Sequence, residues 1–179
     1  MPDRLREVYV VDAVRTPVGN SSPRSDGASA LLLTDEDGLR ARGREPLARV
    51  SVTAVTAVTA VTAVTAVTGI EPRPFGAGPV EAVHRALEKA GRRTARVAVL
   101  ELNEAFAAQA LACVGQWPDL DPAVVNPRGG ALAIGHPPGA SGARITGAVA
   151  HQLAAAGSGT GVAALCIGVG QGLALVLER

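Results

Sequence analysis

The chain has 179 residues, 47% of them hydrophobic and only 2% aromatic, and its formal net charge is +1. This length allows one domain of common size, and a near-neutral charge without basic clusters argues against binding to nucleic acid or to an anionic membrane surface. Two cysteines, no bilayer-length apolar run and no signal-like start predict a cytoplasmic protein without disulfides.

The first fifty residues contain two predicted strands. Residues 7–14 are a β-branched run, typical of a buried strand, and an Arg15-Thr-Pro turn follows. Residues 28–33 form a second apolar run. Residues 35–44 are mostly charged, which predicts a solvated turn or a short helix.

Residues 52–68 are five copies of Val-Thr-Ala followed by Val-Thr. A period of three matches neither the strand period of two nor the helical period of 3.6, so no face is consistently apolar. Valine and threonine favour a strand, but the whole run would extend about 56 Å at ~3.3 Å per residue, against ~20 Å for an ordinary strand. We expect one copy to lie in a strand and interpret the surplus as an aggregation-prone repeat expansion.

From residue 75 onward, predicted helices and strands alternate. Gly78 and Pro79 open a helix that Gly91 ends, and Asn103 is placed at the N-cap of a helix that runs to about residue 114. Three further strands are predicted at residues 96–102, 162–167 and 172–178, and a long helix at residues 139–156. This order predicts an α/β fold with a layered mixed sheet.

A segment rich in glycine and proline, residues 126–144, surrounds His136. Both residue types set backbone conformations that others resist, so we expect a tight loop that approaches another group closely. A histidine there titrates near neutrality unless its surroundings shift it. Taken alone, the segment favours a simpler interpretation, a strand-to-helix turn that carries a surface histidine.

Other candidates also have simple alternatives. Asn103 can serve as a helix cap only, and Cys166 can be a small buried hydrophobic residue. Cys113 lies among alanines without the surroundings of a nucleophile. The glycines of residues 168–172 resemble part of a dinucleotide-binding motif, but a strand follows them instead of a helix, which rejects that function.

Three motifs occur in a fixed order: Asn103-Glu-Ala-Phe, Gly135-His-Pro and Cys166-Ile-Gly. With their flanks they resemble the carboxy-terminal half of thiolases, enzymes that make or break a carbon–carbon bond between acyl groups carried on coenzyme A. The similarity extends over residues 21–179 and, more loosely, the first nineteen. It implies a thiolase-like layered α/β fold, with one mixed-sheet half and remnant strands of the other half.

The resemblance also implies roles for five residues. His136 would activate a nucleophilic cysteine of the first half and donate to the thioester oxygen, where Asn103 would fix a water. Cys166 would exchange the α-proton and the proton of departing coenzyme A. The backbone N–H of Gly168 would donate in a second oxyanion hole, and Ser22 would lie near the pantetheine arm of coenzyme A. Coenzyme A thioesters would be the substrate, with no permanently bound cofactor and no metal.

The resemblance has a break at about residues 19–20, where the chain passes from the first strand to a segment that thiolases carry far downstream. The nucleophile region between these points is missing. We therefore interpret residues 1–50 as a remnant of the N-terminal domain, 51–74 as the repeat with the first strand of the second half, and 75–179 as the C-terminal domain.

Two functions follow from this interpretation. The first is acyl transfer between coenzyme A thioesters, by thiolysis or Claisen condensation, impaired because the nucleophile is missing. The second is a non-catalytic remnant or interaction module that pairs with full-length relatives. Homo-oligomerisation and pairing with a full-length thiolase both stay open as partner predictions.

Overall fold

A computed structural model describes residues 6–21, 24–51, 65–69, 75–167 and 171–179. The helices are α1 Glu36–Arg42, α2 Gly78–Lys89, α3 Ala107–Val114, the single turn α4 Ala131–Ile134, and α5 Pro138–Ala156. The strands are β1 Val8–Arg15, β2 Gly19–Ser21, β3 Arg24–Asp26, β4 Ser29–Thr34, β5 Ala48–Val50, β6 Thr65–Gly69, β7 Val97–Leu102, β8 Thr160–Ile167 and β9 Gln171–Glu178. Short 3₁₀ turns occupy Phe75–Ala77, Thr94–Arg96 and Pro122–Val124.

Seven strands form one mixed sheet in the order β4-β1-β5-β9-β8-β7, with β6 also paired to β9. β7 and β8 are parallel, and the other pairs of this sheet are antiparallel. Strands β2 and β3 form a separate hairpin. The mixed α/β fold is therefore confirmed, and strands from the first fifty residues share a sheet with those of residues 97–178.

Strands β5 and β6 follow one another along the same edge of β9. The N–H of Ser51 donates to the carbonyl of Val176 at 3.2 Å, and Thr65 pairs with the next residue of β9, Leu175. The last copy of the repeat therefore continues the strand that β5 begins. The surplus copies fall on residues 52–64, outside the described part of the chain.

The sheet separates two hydrophobic cores. Buried side chains on β7, β8 and β9 alternate between its faces, as the strand period of two requires. On one face they pack against α2, α3 and Trp117, which is 1% exposed. On the other face α5 packs against β1, β4, β7 and β8, so the sheet curls around this helix.

One helix boundary differs from the sequence prediction. Asn103 is not an N-cap, because its N–H continues the β7 ladder by donating to Ala164 O at 2.9 Å. Helix α3 begins only at Ala107, with Phe106 in the cap position and no side-chain cap bond. The prediction misplaced the helix start because strand pairing extends past Leu102 and a bend follows it.

Across the described residues, no helix is both long and apolar enough to cross a membrane.

Candidate active site

The topology brings Asn103, Cys166 and His136 to one edge of the sheet. Asn103 follows β7 and Cys166 lies near the end of β8, and parallel strands end at the same edge. Helix α5 leads into β8 through three residues, so it runs back along the strand. At ~1.5 Å per helical residue and ~3.3 Å per strand residue, α5 and β8 have nearly equal lengths, about 28 and 26 Å. His136, just before α5, is therefore at the edge where Cys166 lies.

A short hydrogen-bond chain fixes the His136 ring. Its Nδ1 lies 2.7 Å from Ser141 Oγ, and that hydroxyl donates to Pro137 O at 3.0 Å. Because the one hydroxyl proton of Ser141 is engaged with Pro137, Ser141 Oγ accepts the proton of Nδ1. This network assigns the proton to Nδ1 and leaves the lone pair of Nε2 available.

The backbone around His136 is also fixed. Its N–H donates to Ser25 Oγ at 3.3 Å, so the β2–β3 hairpin region contacts the loop. Gly135 has φ of 93°, and a Cβ there would lie 2.6 Å from the same Ser25 Oγ. Glycine is therefore required at this position by both conformation and space, as the sequence predicted for a tightly shaped loop.

The electrostatic surroundings favour the neutral form of His136. Burial lowers its pKa, and the positive charge of Arg144 lowers the pKa further. A neutral imidazole with a free Nε2 can accept a proton at neutral pH, which is the requirement for a general base.

Asn103 is 1% exposed, yet its side-chain Oδ1 has no hydrogen-bond partner among the described residues. Buried polar atoms nearly always have a partner, and each exception calls for an explanation. A helix cap would have used this oxygen. An acceptor held at the edge of the sheet without a partner is suited to a water or ligand donor.

Two residues that the sequence prediction missed hold this edge in place. Asn126 accepts from Leu102 N at 2.8 Å and donates to Leu102 O at 3.0 Å, which fixes the end of β7. Its φ is 47°, a conformation that asparagine tolerates. Glu104 Oε2 accepts from Leu132 N at 2.9 Å and ties α4 to the segment after β7. The Asn-Pro pair of residues 126–127 was the available signal.

The two cysteines differ in their surroundings. Cys166 is half-buried, and burial raises the pKa of its thiol. Cys113 is fully buried, contacts Gln109 Nε2 at 3.3 Å, and lies 3.3 Å from Gly76 O. Burial raises its pKa to about 11. Neither thiol is an activated nucleophile at neutral pH, because the reactive species is the thiolate.

Two predicted site residues, Gly168 and Ser22, lie outside the described residues, so their roles stay predictions. In the part of the chain that the structure describes, no group of three or more histidine, cysteine, aspartate or glutamate side chains could hold a metal ion.

Residues 55–179 match the family model described as the C-terminal domain of thiolase. The 3-oxoadipyl-CoA/3-oxo-5,6-dehydrosuberyl-CoA thiolase of Escherichia coli K12 is 45% identical over 163 residues, covering 90% of this chain and 37% of that protein. The acetyl-CoA acetyltransferase of Rhizobium meliloti is 45% identical over 176 residues, covering 98% and 41%. The β-ketoadipyl-CoA thiolase of Pseudomonas putida is 44% identical over 177 residues, covering 98% and 41%.

Two solved structures of related enzymes also superpose on this chain. Human mitochondrial 3-ketoacyl-CoA thiolase in complex with CoA superposes with a TM-score of 0.77 at 39% identity, over 89% of this chain and 37% of that one. Acetyl-CoA acetyltransferase of Bacillus anthracis superposes with a TM-score of 0.75 at 38% identity, over 86% and 36%. The chain thus spans about two fifths of the length of the proteins that it matches.

Proposed function

Because the chain belongs to the thiolase family, we propose that it provides the proton-transfer and oxygen-binding part of an acyl-CoA acyltransferase site. The observation that carries this proposal is the shared sheet edge, where His136 Nε2 and Asn103 Oδ1 have no hydrogen-bond partner in the part of the chain that the structure describes. Cys166 lies at the same edge. An acyl transfer between thioesters requires these capacities: a base, an oxygen-binding group and a proton carrier.

His136 would serve twice in this reaction. Its Nε2 takes the proton from an attacking thiol, because the hydrogen bond from Nδ1 to Ser141 leaves that lone pair free. The imidazolium that results has an N–H at Nε2, which can then donate to the thioester oxygen as negative charge develops there. A water that donates one hydrogen bond to Asn103 Oδ1 would direct its other O–H to the same thioester oxygen, as a second donor.

Cys166 would move the remaining protons. Its raised pKa keeps it protonated at rest, so it can give a proton to the departing coenzyme A thiolate. The Cys166 thiolate formed in that step then removes the α-proton of the second acyl group and returns to the thiol. A thiol of high pKa makes a stronger base once ionised.

The chain alone would turn over slowly, because the acyl group also needs a nucleophilic thiol to carry it. The sequence has two cysteines: Cys113 is packed in the core, and Cys166 is the proposed base. Loss of the nucleophile in an acyl-transfer enzyme costs on the order of a million-fold in kcat. We propose that another polypeptide, a longer relative that carries the nucleophilic cysteine, completes the site.

Two of the relatives are named as a β-ketoadipyl-CoA thiolase and an acetyl-CoA acetyltransferase. We propose an acyl-coenzyme A thioester as the substrate and the cytoplasm as the location.

A non-catalytic pairing module is the second candidate, favoured by apolar side chains that are exposed beside the site. Phe106 is 62% exposed and Leu132 is 57% exposed, and the Glu104 bond to Leu132 N brings their segments together. Large exposed apolar groups that cluster typically mark an interaction surface.

Complementation separates the two candidates. The chain is co-expressed with the nucleophile-bearing first half of the Escherichia coli relative, and thiolysis of acetoacetyl-coenzyme A is measured in the copurified complex. Acyl transfer predicts activity that His136→Ala and Cys166→Ala abolish, whereas His84→Ala, on an exposed face of α2, leaves it intact. A stable complex without activity would favour the pairing module.

Intact mass of the purified chain after incubation with acetyl-coenzyme A tests the proposed impairment. We expect no stoichiometric adduct. Rapid acetylation of Cys166 that free coenzyme A reverses would show that the chain is a complete acyltransferase.

A further inference from the structure

A cavity of about 240 Å³ lies beside α5, next to the edge that carries His136, Asn103 and Cys166, and none of these three residues lines it. It is formed by the end of β1, by β7, by the segment before α4 and by one side of α5. Its charged and polar lining residues are Arg15, Glu101, Arg128, Arg144, His151 and Gln152. None of the roles proposed above uses this cavity.

Arg144 is the unusual member of the lining. It is 7% exposed, and its Nε and Nη2 have no hydrogen-bond partner within the described ranges. Over those ranges it also forms no ion pair, since the bridges found involve other residues. A buried guanidinium that lacks both kinds of partner is costly for the folded chain.

The acidic side chain of the cavity does not neutralise Arg144. Glu101 is 2% exposed, and its Oε1 accepts from Gln152 Nε2 at 2.7 Å. Burial raises the pKa of Glu101 and lowers that of Arg144, and the attraction of Arg144 to Glu101 and Glu104 offsets its desolvation only in part. Against this single carboxyl group stand three arginines, Arg15, Arg128 and Arg144, which leave the cavity with an excess of positive charge.

We propose that this cavity binds a small oxyanion, a carboxylate or phosphate group, with Arg144 as its principal ligand. A guanidinium presents a planar fork of donors that matches both groups bidentately. Arg15 and Arg128, at the exposed rim of the cavity, add attraction for the incoming anion. A volume of about 240 Å³ is below the usual range for drug-sized ligands, so a small anion or the terminal group of a larger ligand fits best.

The test is direct binding to the full chain by calorimetry and by thermal unfolding. Inorganic phosphate and succinate are the two probes, titrated at constant ionic strength with chloride as the reference anion. We expect saturable binding of at least one probe, and a preference between them identifies the phosphate or the carboxylate form. Arg144→Met should weaken that binding at least tenfold. The affinity of Arg144→Lys, which keeps the charge but loses the planar fork of donors, should lie between those of the unmodified chain and Arg144→Met.

The matched control is Arg85→Met, which removes an exposed arginine on α2, far from the cavity lining. It should leave the affinity unchanged, and circular dichroism establishes that each variant is folded. The proposal is overturned if neither probe binds more tightly than chloride. It is equally overturned if Arg144→Met and Arg85→Met weaken binding to the same extent, because the effect would then be one of net charge.

Discussion

The polar and charged side chains at the two ends of strand β8 differ in whether they have partners among the described residues. Near its start, Glu178 of β9 accepts from Arg49 Nη2 and from Arg92 Nε, each at 2.6 Å, and Arg49 also reaches Glu7 at 3.0 Å. Toward its other end, among the described residues, Arg144 has no ion pair and Asn103 Oδ1 has no donor. Both clusters lie against the same sheet, although Arg92 follows α2 on one face and Arg144 is on α5 on the other.

The difference separates structure from function in this chain. The ion pairs of Glu178 hold β5 in register with β9 through Arg49, and they attach the turn after α2 to β9 through Arg92. Desolvated groups without a partner stabilise nothing by themselves, and their cost is recovered only when a ligand, a water or another chain supplies the missing atoms. The paired end therefore has a structural role, and the unpaired end is where an external group is expected.

Breaking the paired end should have the largest effect on stability. Glu178 is only 10% exposed, and its replacement in Glu178→Met leaves Arg49 and Arg92 without their shared carboxylate. Because the arginines are 37% and 48% exposed, water compensates in part, and we expect a loss of about 2 kcal/mol in the free energy of unfolding, less than for a fully buried pair. Urea denaturation measures it. Glu81→Met, which breaks an exposed pair on α2, is the control and should cost under about 0.5 kcal/mol.

The unpaired end should respond with the opposite sign. Arg144→Met replaces a desolvated cation by an apolar side chain of similar length, so we expect the free energy of unfolding to stay equal or rise by about 1 kcal/mol in buffer without oxyanions. The same urea titration compares it with Glu178→Met. A loss comparable with that of Glu178→Met would mean that Arg144 has a partner within the chain after all.

The register of the paired end can be tested through the repeat. Since Thr65 follows Ser51 in pairing with β9, removal of residues 52–64 should join β5 and β6 into one strand without moving any pair. We expect unfolding to remain cooperative, with unchanged stability or a small gain from the shorter connection, and with improved solubility. Circular dichroism and sedimentation measure these.

A deletion shorter by one residue is the matched control. Removing residues 52–63 leaves one extra residue, which must form a bulge or reverse the side-chain alternation along β9. It should therefore be less stable than the variant lacking 52–64. Equal stability of the two deletions would show that β6 can shift along β9.

Periodicity and motif order predicted most of the fold, but contacts between distant segments were beyond them. The long helix and its flanking strands appear within a few residues of their predicted bounds, because their apolar patterns are local. Helix α3 was misplaced since an asparagine cap and an asparagine that ends a strand have the same local sequence. The roles of Ser25 and Ser141 beside His136 could not be read, as neither spacing nor residue type singles out a serine that contacts a histidine ring or backbone.

The same limit applies to the charged clusters. The predicted site residues came from motif resemblance, and the structure places His136, Asn103 and Cys166 at one edge. No sequence pattern shows that Glu178 is paired, or that Arg144 lacks a partner among the residues that the structure describes. That distinction depends on which side chains the curled sheet brings within ~4 Å of one another.

The smallest expected effect links the unpaired end to the site through the titration of His136. Burial and Arg144 both lower the pKa of His136, so its imidazole should protonate below the ordinary value of about 6.5. Between this lowered pKa in the folded chain and the ordinary value in the unfolded chain, the unfolded chain binds more protons. This histidine therefore makes the free energy of unfolding fall as the pH drops below about 6.5. Arg144→Met removes the smaller of the two causes and should raise the pKa of His136, leaving burial as the remaining cause. Proton NMR of the ring Hε1, assigned with His136→Gln, measures the shift, and Arg49→Met at the paired end is the control. If the pKa of His136 moves equally in both variants, Arg144 acts only through the net charge of the chain. Arginines at the two ends of β8 would then have the same influence on His136.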